Sequence, residues 1–294
     1  MHRTPESRHH GTFVLGMGAM RAGTTWIWDY LRASPQFVIG ISKECHVLDL
    51  DLPSEQWLRA RLTAGAREAV EALGAGTAGP AEARLLLRAA LAADNRRYID
   101  HFVGVLSRRG PTSVTGDLTP SHALLPSSRL AWVRDSFAER GVDTVPLLVL
   151  RDPVERLWSQ VKLRRERSGS GAHDDAESQL LAEYDSPTVQ LRSRYDLTLA
   201  ALDEAFPDGR THVMFYETMF TPEAMAALSD AVGLPPTRPA LDTRRNSTDP
   251  GATPLDPAVR RTVAEHYADV YTRVAERFPH VDVRAVWPSA AAVL

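Results

Sequence analysis

The sequence predicts an α/β protein, a P-loop-like three-layer fold with a central parallel sheet flanked by helices. Three observations predict it. An apolar run, Phe13-Val14-Leu15, leads through a glycine loop at residues 18–23 (GAMRAG) into a helix-like segment beginning at Thr24. A second apolar run at 145–150 (VPLLVL) is bounded by polar residues, the pattern of a strand buried on both faces. Strand and helix patterns then alternate along the chain, the order that builds a parallel sheet.

Residues 1–11 are polar and expected to be disordered, with 12–294 forming one domain. Thr12 to Met17 is the first strand, Thr24 to about Ala33 the first helix, and Phe37-Val38-Ile39 a short second strand. Residues 54–108 are rich in Ala, Leu, Arg and Glu and are broken by the stretch 74–80 (GAGTAGP). This reads as a helical pair with a flexible joint, an insertion that either caps a site or joins the outer layer. In the run 145–150, Pro146 fits only near the start of a strand. Asp152 then suits an N-cap, Pro153 the first helical position, and Glu155 the third, a capping-box pattern. Residues 168–175 read as a loop, 190–205 as a helix and His212 to Tyr216 as a strand. Residues 244–257 form a long loop, a kind of segment that often carries function. In such sheets ligands bind beyond the carboxyl ends of the strands, where residues 18–25 and 151–159 lie.

The chain of 294 residues is long enough to bury one substantial core. Its net charge of -3 gives no global attraction to nucleic acid or to an anionic membrane surface. One cysteine, Cys45, excludes an internal disulfide and fits a reducing compartment. The N-terminus lacks the apolar core of a signal peptide, and no apolar run approaches the roughly 20 residues that span a bilayer. The expectation is a cytoplasmic protein with no membrane span and no nucleic-acid partner. No His/Cys cluster has metal-ligand spacing, so no metal is expected; the sequence carries no reading of oligomeric state.

The glycine loop carries most of the chemistry. A strand, a glycine loop and a helix aim backbone N–H groups and a helix N-terminus at an anion. The nucleoside-triphosphate version reads G-x-x-x-x-G-K-[ST], with the Lys on the β/γ-phosphates. Gly18 and Gly23 keep that spacing, but Thr24 stands where the Lys belongs, and the loop's one cation is Arg21. That arrangement argues for a phosphate other than a triphosphate. Arg151 at the end of the buried strand and Ser159 two turns along the next helix make a second anion site. Two such sites imply a ligand with two separated phosphates.

At these residues the chain resembles the sulfotransferases that use 3′-phosphoadenosine 5′-phosphosulfate (PAPS). Residues 18–26 (GAMRAGTTW) resemble their 5′-phosphosulfate loop, and 150–159 (LRDPVERLWS) resemble their 3′-phosphate segment. Residues 43–49 (KECHVLD) and 116–121 (GDLTPS) are similar to segments of the heparan-sulfate-type and bacterial branches, and Ser193-Arg194-Tyr195 to a helix start in such enzymes. The resemblance covers roughly 12–50 and 112–287. It implies PAPS as donor, 3′,5′-ADP as product and no metal. It places Arg21, Ala22, Gly23, Thr24, Thr25 and Trp26 on the phosphosulfate, and Arg151 and Ser159 on the 3′-phosphate. The late-loop residues Arg244 and Arg245 would close over the nucleotide, although Trp26 also reads as a core residue.

By the same match Glu44 is the first choice of base toward the acceptor, with His46, whose pKa is naturally near neutrality, as the alternative. Arg21 would stabilise charge on the bridging oxygen, being too firmly protonated to donate a proton. Lys43, Asp49 and Asp117 would contact the phosphosulfate or the acceptor. Leu118 stands where heparan-type enzymes carry a Lys. With the mildly acidic total charge, it points to a small, neutral acceptor whose hydroxyl or amine takes the sulfuryl group. The alternatives are a P-loop ATP-dependent kinase and a 3′,5′-ADP-binding protein that has lost turnover.

Overall fold

A computed structural model describes residues 11–110, 112–168, 176–239 and 254–294. Its four strands are β1 (Thr12–Gly16), β2 (Val114–Asp117), β3 (Asp143–Leu150) and β4 (His212–Phe215). They form one parallel sheet in the order β2-β1-β3-β4. All five residues of β1 are buried, as are residues 144–150 of β3, so both central strands read as continuous apolar runs. Pro146 lies opposite Leu15, one residue before pairing with β4 begins at Leu147. Its missing N–H therefore costs no bond to β4, which is how a proline survives in a central strand.

The helices between β1 and β2 are α1 (Thr24–Leu31), α2 (Gln56–Gly74), α3 (Pro80–Ala92) and α4 (Asn95–Ser107). The segment 54–108 is thus three helices rather than the expected pair. On α4, Tyr98, Ile99, Phe102 and Leu106 are fully buried, and Phe102 meets Phe13 of β1 edge-on at 4.9 Å. That helix belongs to the layer covering the sheet. The hairpin of α2 and α3 encloses a separate small apolar cluster of Leu50, Leu58 and Leu62. The expected strand at 37–39 reduces to a single parallel bridge between Phe37 and Val114, with Val38 N–H donating to the Val114 carbonyl at 2.7 Å.

After β2 come α5 (Ser127–Ala138), then β3 and α6 (Pro153–Ser168). The chain continues through α7 (Ala176–Glu183), α8 (Pro187–Gln190) and α9 (Tyr195–Ala205) to β4. The helix expected at 190–205 is therefore broken, with Leu191–Ser193 a 3-10 turn. Beyond β4 lie α10 (Pro222–Val232), α11 (Pro257–His266), α12 (Ala268–Arg277) and α13 (Val283–Val286). Asp152 caps α6 as expected, accepting from Val154 N–H at 2.9 Å. The reciprocal half of the capping box does not form. Glu155 pairs instead with Arg260 at 2.7 Å, and the Asp152 N–H goes to Glu217 at 3.0 Å. No helix among the described residues is long and apolar enough to cross a membrane.

Gly16, the last residue of β1, is pressed against the chain that leaves β2. A Cβ built there would stand 2.5 Å from the Cα of Leu118. Gly16→Ala should lower stability by about 1–3 kcal/mol through overpacking against backbone that cannot swing aside. Urea denaturation of the two proteins measures it; equal midpoints would show that the two segments separate freely.

Candidate active site

The carboxyl ends of β1 and β3 lie side by side, and the loops leaving them form the site. Beyond β1 the chain still follows β3, with Met17 N–H on the Leu147 carbonyl and Ala19 N–H on Val149, both at 2.8 Å. It then bends sharply into α1. Arg21 has φ 68° and Gly23 φ 77°, two left-handed residues in three. At Gly23 the left-handed backbone favours glycine, and a Cβ would also press on the Met219 methyl at 2.4 Å. Gly23 is the N-cap of α1 and offers no side-chain cap, and the first turn holds no acidic residue. The helix therefore presents uncompensated N–H groups and the positive end of its dipole.

A cation stands at this helix end, and it is Lys43 rather than Arg21. Lys43 Nζ donates to Thr24 Oγ1 at 3.1 Å, to Thr25 Oγ1 at 3.0 Å and to Glu44 Oε1 at 2.6 Å. Arg21 turns toward α6, where its Nε and Nη2 donate to Ser159 Oγ at 3.1 and 3.0 Å. Arg151 reaches the Arg21 backbone from the end of β3. Its Nη1 donates to the Arg21 carbonyl at 2.7 Å, and its guanidinium lies over the Tyr216 ring at 4.4 Å. The Tyr195 hydroxyl, 2.9 Å from the Arg151 carbonyl, fixes the backbone there. Neither guanidinium pairs with a carboxylate among the described residues, and Arg151 Nε is buried without an acceptor. Burial and the charge of Arg151 both push the Arg21 pKa down. Two guanidiniums without a carboxylate partner, one on Ser159 and the other on the Arg21 carbonyl, make this the kind of place that suits an anion.

Beside the loop, residues 43–46 are tied to the chain leaving β2. Leu118 N–H donates to the Lys43 carbonyl at 2.8 Å, Cys45 N–H to Asp117 Oδ1 at 3.1 Å, and His46 N–H to Thr119 Oγ1 at 3.2 Å. This frame groups Glu44, His46 and Asp49. His46 Nδ1 lies 2.7 Å from Asp49 Oδ2, and its Nε2 lies 3.6 Å from Glu44 Oε2. Asp49 is fully buried and Glu44 the most exposed of the three. Burial alone would raise the pKa of Glu44, but the hydrogen bond from His46 and the charge of Lys43 outweigh it and hold it at about 2. Burial alone would lower that of His46, but bonds to Asp49 and Glu44 raise it to about 9. The resting cluster is an imidazolium between two carboxylates, with an ammonium on the outer one.

Several expected site residues lie elsewhere. Asp117, expected to face the acceptor, is fully buried and also accepts from the Thr119 and Tyr98 hydroxyls at 2.6 and 2.9 Å. Leu118 is buried against Gly16, so it says nothing about the charge of an acceptor. Ala22 is buried, and Trp26 packs edge-on to Phe220 at 5.1 Å, which makes it a core residue. Arg244 and Arg245 lie outside the described residues. Two residues were not legible as site components. Tyr216 closes the apolar run of β4 and lies beneath Arg151. Glu217, which burial pushes up to about 7, accepts from Asp152 N–H and Trp287 Nε1. Only the pairing of β4 with β3 brings either of them to Arg151.

Fold and site define an α/β architecture with a glycine loop at the end of its first strand and a cationic segment at the end of its neighbour. No protein family and no curated protein matches the sequence. The fold is that of the sulfotransferases. The chain aligns with a crystal structure of a sulfotransferase from Alicyclobacillus acidocaldarius at a TM-score of 0.55 and 16% identity, covering 94% of this chain and 98% of that one. The sulfotransferase STF9 from Mycobacterium avium aligns at a TM-score of 0.41 and 17% identity, covering 93% and 77% of the two chains.

The charge pattern predicts a pH signature. A histidine raised from its ordinary pKa of about 6.5 to about 9 stabilises the fold fully below the lower value and loses that contribution as pH rises through the upper one. The gap in melting temperature between the wild type and His46→Gln should be widest near pH 6 and should narrow above pH 9. A gap of constant size across that range would mean that His46 is not held as an imidazolium.

Proposed function

We propose that the protein is a PAPS-dependent sulfotransferase that moves the sulfuryl group to a hydroxyl or amine of a small acceptor. The observation that carries this reading is the meeting of Arg21, which donates to Ser159, with Arg151, which donates to the Arg21 carbonyl, a few residues from a helix N-terminus that holds a separate ammonium. Two cationic sites on neighbouring loops suit a donor with phosphate groups on both the 3′ and 5′ oxygens. The fold shared with a sulfotransferase supports the same reading.

In this reading the donor supplies a sulfur atom whose bond to the 5′-phosphate oxygen breaks as the acceptor oxygen or nitrogen attacks. The N–H groups of the first turn of α1, the hydroxyls of Thr24 and Thr25, and Lys43 hold the phosphosulfate and neutralise charge growing on the bridging oxygen. Arg151 and Ser159 hold the 3′-phosphate, and Arg21 spans the two groups. Glu44, the exposed member of its cluster, takes the acceptor proton. His46 holds that carboxylate from behind and is itself oriented by Asp49, so it serves Glu44 rather than replacing it. A kinase is less well supported. The Thr25 hydroxyl, at the position a P-loop enzyme would use toward Mg²⁺, accepts from the Lys43 ammonium, and Thr24 stands where that enzyme's lysine belongs.

Glu44→Gln should lower kcat for sulfuryl transfer by roughly 10²–10⁴, the usual contribution of a positioned base, without weakening affinity for 3′,5′-ADP. Turnover within a few fold of wild type would remove Glu44 from this role. Arg151→Ala should weaken 3′,5′-ADP binding about tenfold to a hundredfold, the worth of a charge-assisted hydrogen bond. Isothermal titration measures both affinities. An Arg151→Ala protein that binds 3′,5′-ADP normally would defeat the two-phosphate assignment, and tight 3′,5′-ADP binding without transfer to any acceptor would favour a protein that has lost turnover.

A further inference from the structure

A second cationic cavity lies on another face of α6. It has a volume of about 300 Å³, and its lining includes Ser54, Trp57, Arg156, Gln160, Arg164 and Arg192. Arg156, Gln160 and Arg164 are spaced i, i+4, i+8, so they form one stripe of the helix. Ser159 belongs to the neighbouring face, rotated by about 60°. The donor site and this cavity therefore share a helix without sharing side chains.

The charge in the cavity is unbalanced. Arg192 pairs with Glu55, and Arg164 with Glu183. Among the described residues Arg156 pairs with no carboxylate. Its Nε donates to Ser193 Oγ at 2.6 Å and its Nη1 to Gln160 Oε1 at 3.4 Å, while its Nη2 has no acceptor. Yet Arg156 is fully buried, and its pKa is lowered by burial and by the nearby charges of Arg192 and Arg151. A buried guanidinium with neutral partners and an empty donor is costly to maintain, and an oxyanion is the ligand that relieves it. Trp57, 57% exposed, adds an aromatic wall.

The cavity is also linked to the reacting groups. Arg192 Nη1 donates to Ser121 Oγ at 3.2 Å. Two residues before Ser121, the Thr119 hydroxyl accepts the His46 N–H at 3.2 Å. One side chain thus joins the cavity to the loop that frames Glu44 and His46.

We infer that this cavity anchors the acceptor, and that the acceptor is a small molecule bearing an oxyanion, a carboxylate or a sulfate or phosphate ester, apart from the hydroxyl or amine that is sulfated. The inference rests on the sulfotransferase reading and gives its acceptor a chemical class. The arginine stripe binds the anionic group, Trp57 covers the adjoining apolar part, and the nucleophile extends toward Glu44.

The test uses para-substituted phenols bearing a carboxylate, sulfonate or phosphonate, each paired with its neutral methyl counterpart. With PAPS, the wild-type enzyme should favour the anionic member of at least one pair by about tenfold or more in kcat/KM. Arg164→Gln, at a position 40% exposed, should erase most of that ratio through KM. Equal use of both members, or a ratio unchanged in Arg164→Gln, would overturn the inference. A second measurement does not depend on turnover. Calorimetric titration of the same phenols into the full-length protein should show binding of an anionic member that Arg164→Gln weakens about tenfold. Arg164-dependent binding without any sulfuryl transfer would keep the anion site and reject the sulfotransferase reading. Binding that ignores Arg164, or no binding by any anionic member, would reject the site itself.

Discussion

The geometry of the site depends on one buried carboxyl group. Asp117 closes β2 and is fully buried, yet it accepts hydrogen bonds from the Cys45 backbone, the Thr119 hydroxyl and the Tyr98 hydroxyl. Those donors come from the segment bearing Glu44 and His46, from the loop after β2, and from α4. A buried polar group satisfied from three directions is expensive to disturb, because each partner would be left unpaired in turn. Asp117 therefore fixes where residues 43–46 run, and with them where Lys43 meets α1 and where Glu44 faces open space. Its contribution is position, delivered through the backbone of a neighbouring segment.

The arrangement of cations follows from the same frame. A P-loop places its lysine in the loop, directly before the helix threonine. Here the ammonium arrives from Lys43, eighteen residues beyond Thr25, and donates to both threonine hydroxyls. With that place filled, the loop's own cation, Arg21, turns to Ser159. The left-handed backbone at Arg21 and Gly23 makes the turn compact enough for both loops to meet over α6. The site is thus built from three arms, the β1 loop, the β3 loop and the segment held by Asp117, each aimed by a different part of the sheet.

Much of this fold was legible because its signals are local. The six-residue apolar run of β3 and the Asp152-Pro153 start of α6 need no tertiary context to read. β2 was missed as a strand because Val114–Asp117 carries glycine and aspartate, both poor strand formers, and only pairing with β1 makes it one. The helices of 54–108 share one composition, and what separates α4 from the hairpin is the burial of Tyr98 and Phe102 against Phe13. In the site, it was the resemblance of residues 43–49 to a family segment that singled out Glu44, His46 and Asp49. The burial of Asp117 and the direction of the Arg21 side chain were not legible, since both depend on partners more than seventy residues away.

The hydrogen bond between Lys43 and Glu44 has a thermodynamic corollary. The same ammonium contacts the Glu44 carboxylate and the threonine hydroxyls at the start of α1. An anion at the start of α1 competes with Glu44 for that charge, and a carboxylate that loses part of a cation gains proton affinity. By linkage the effect is reciprocal, so protonation of Glu44 frees Lys43 to hold the anion more tightly. Filling one subsite thereby tunes the basicity of the other, with no backbone movement required, through a single shared lysine.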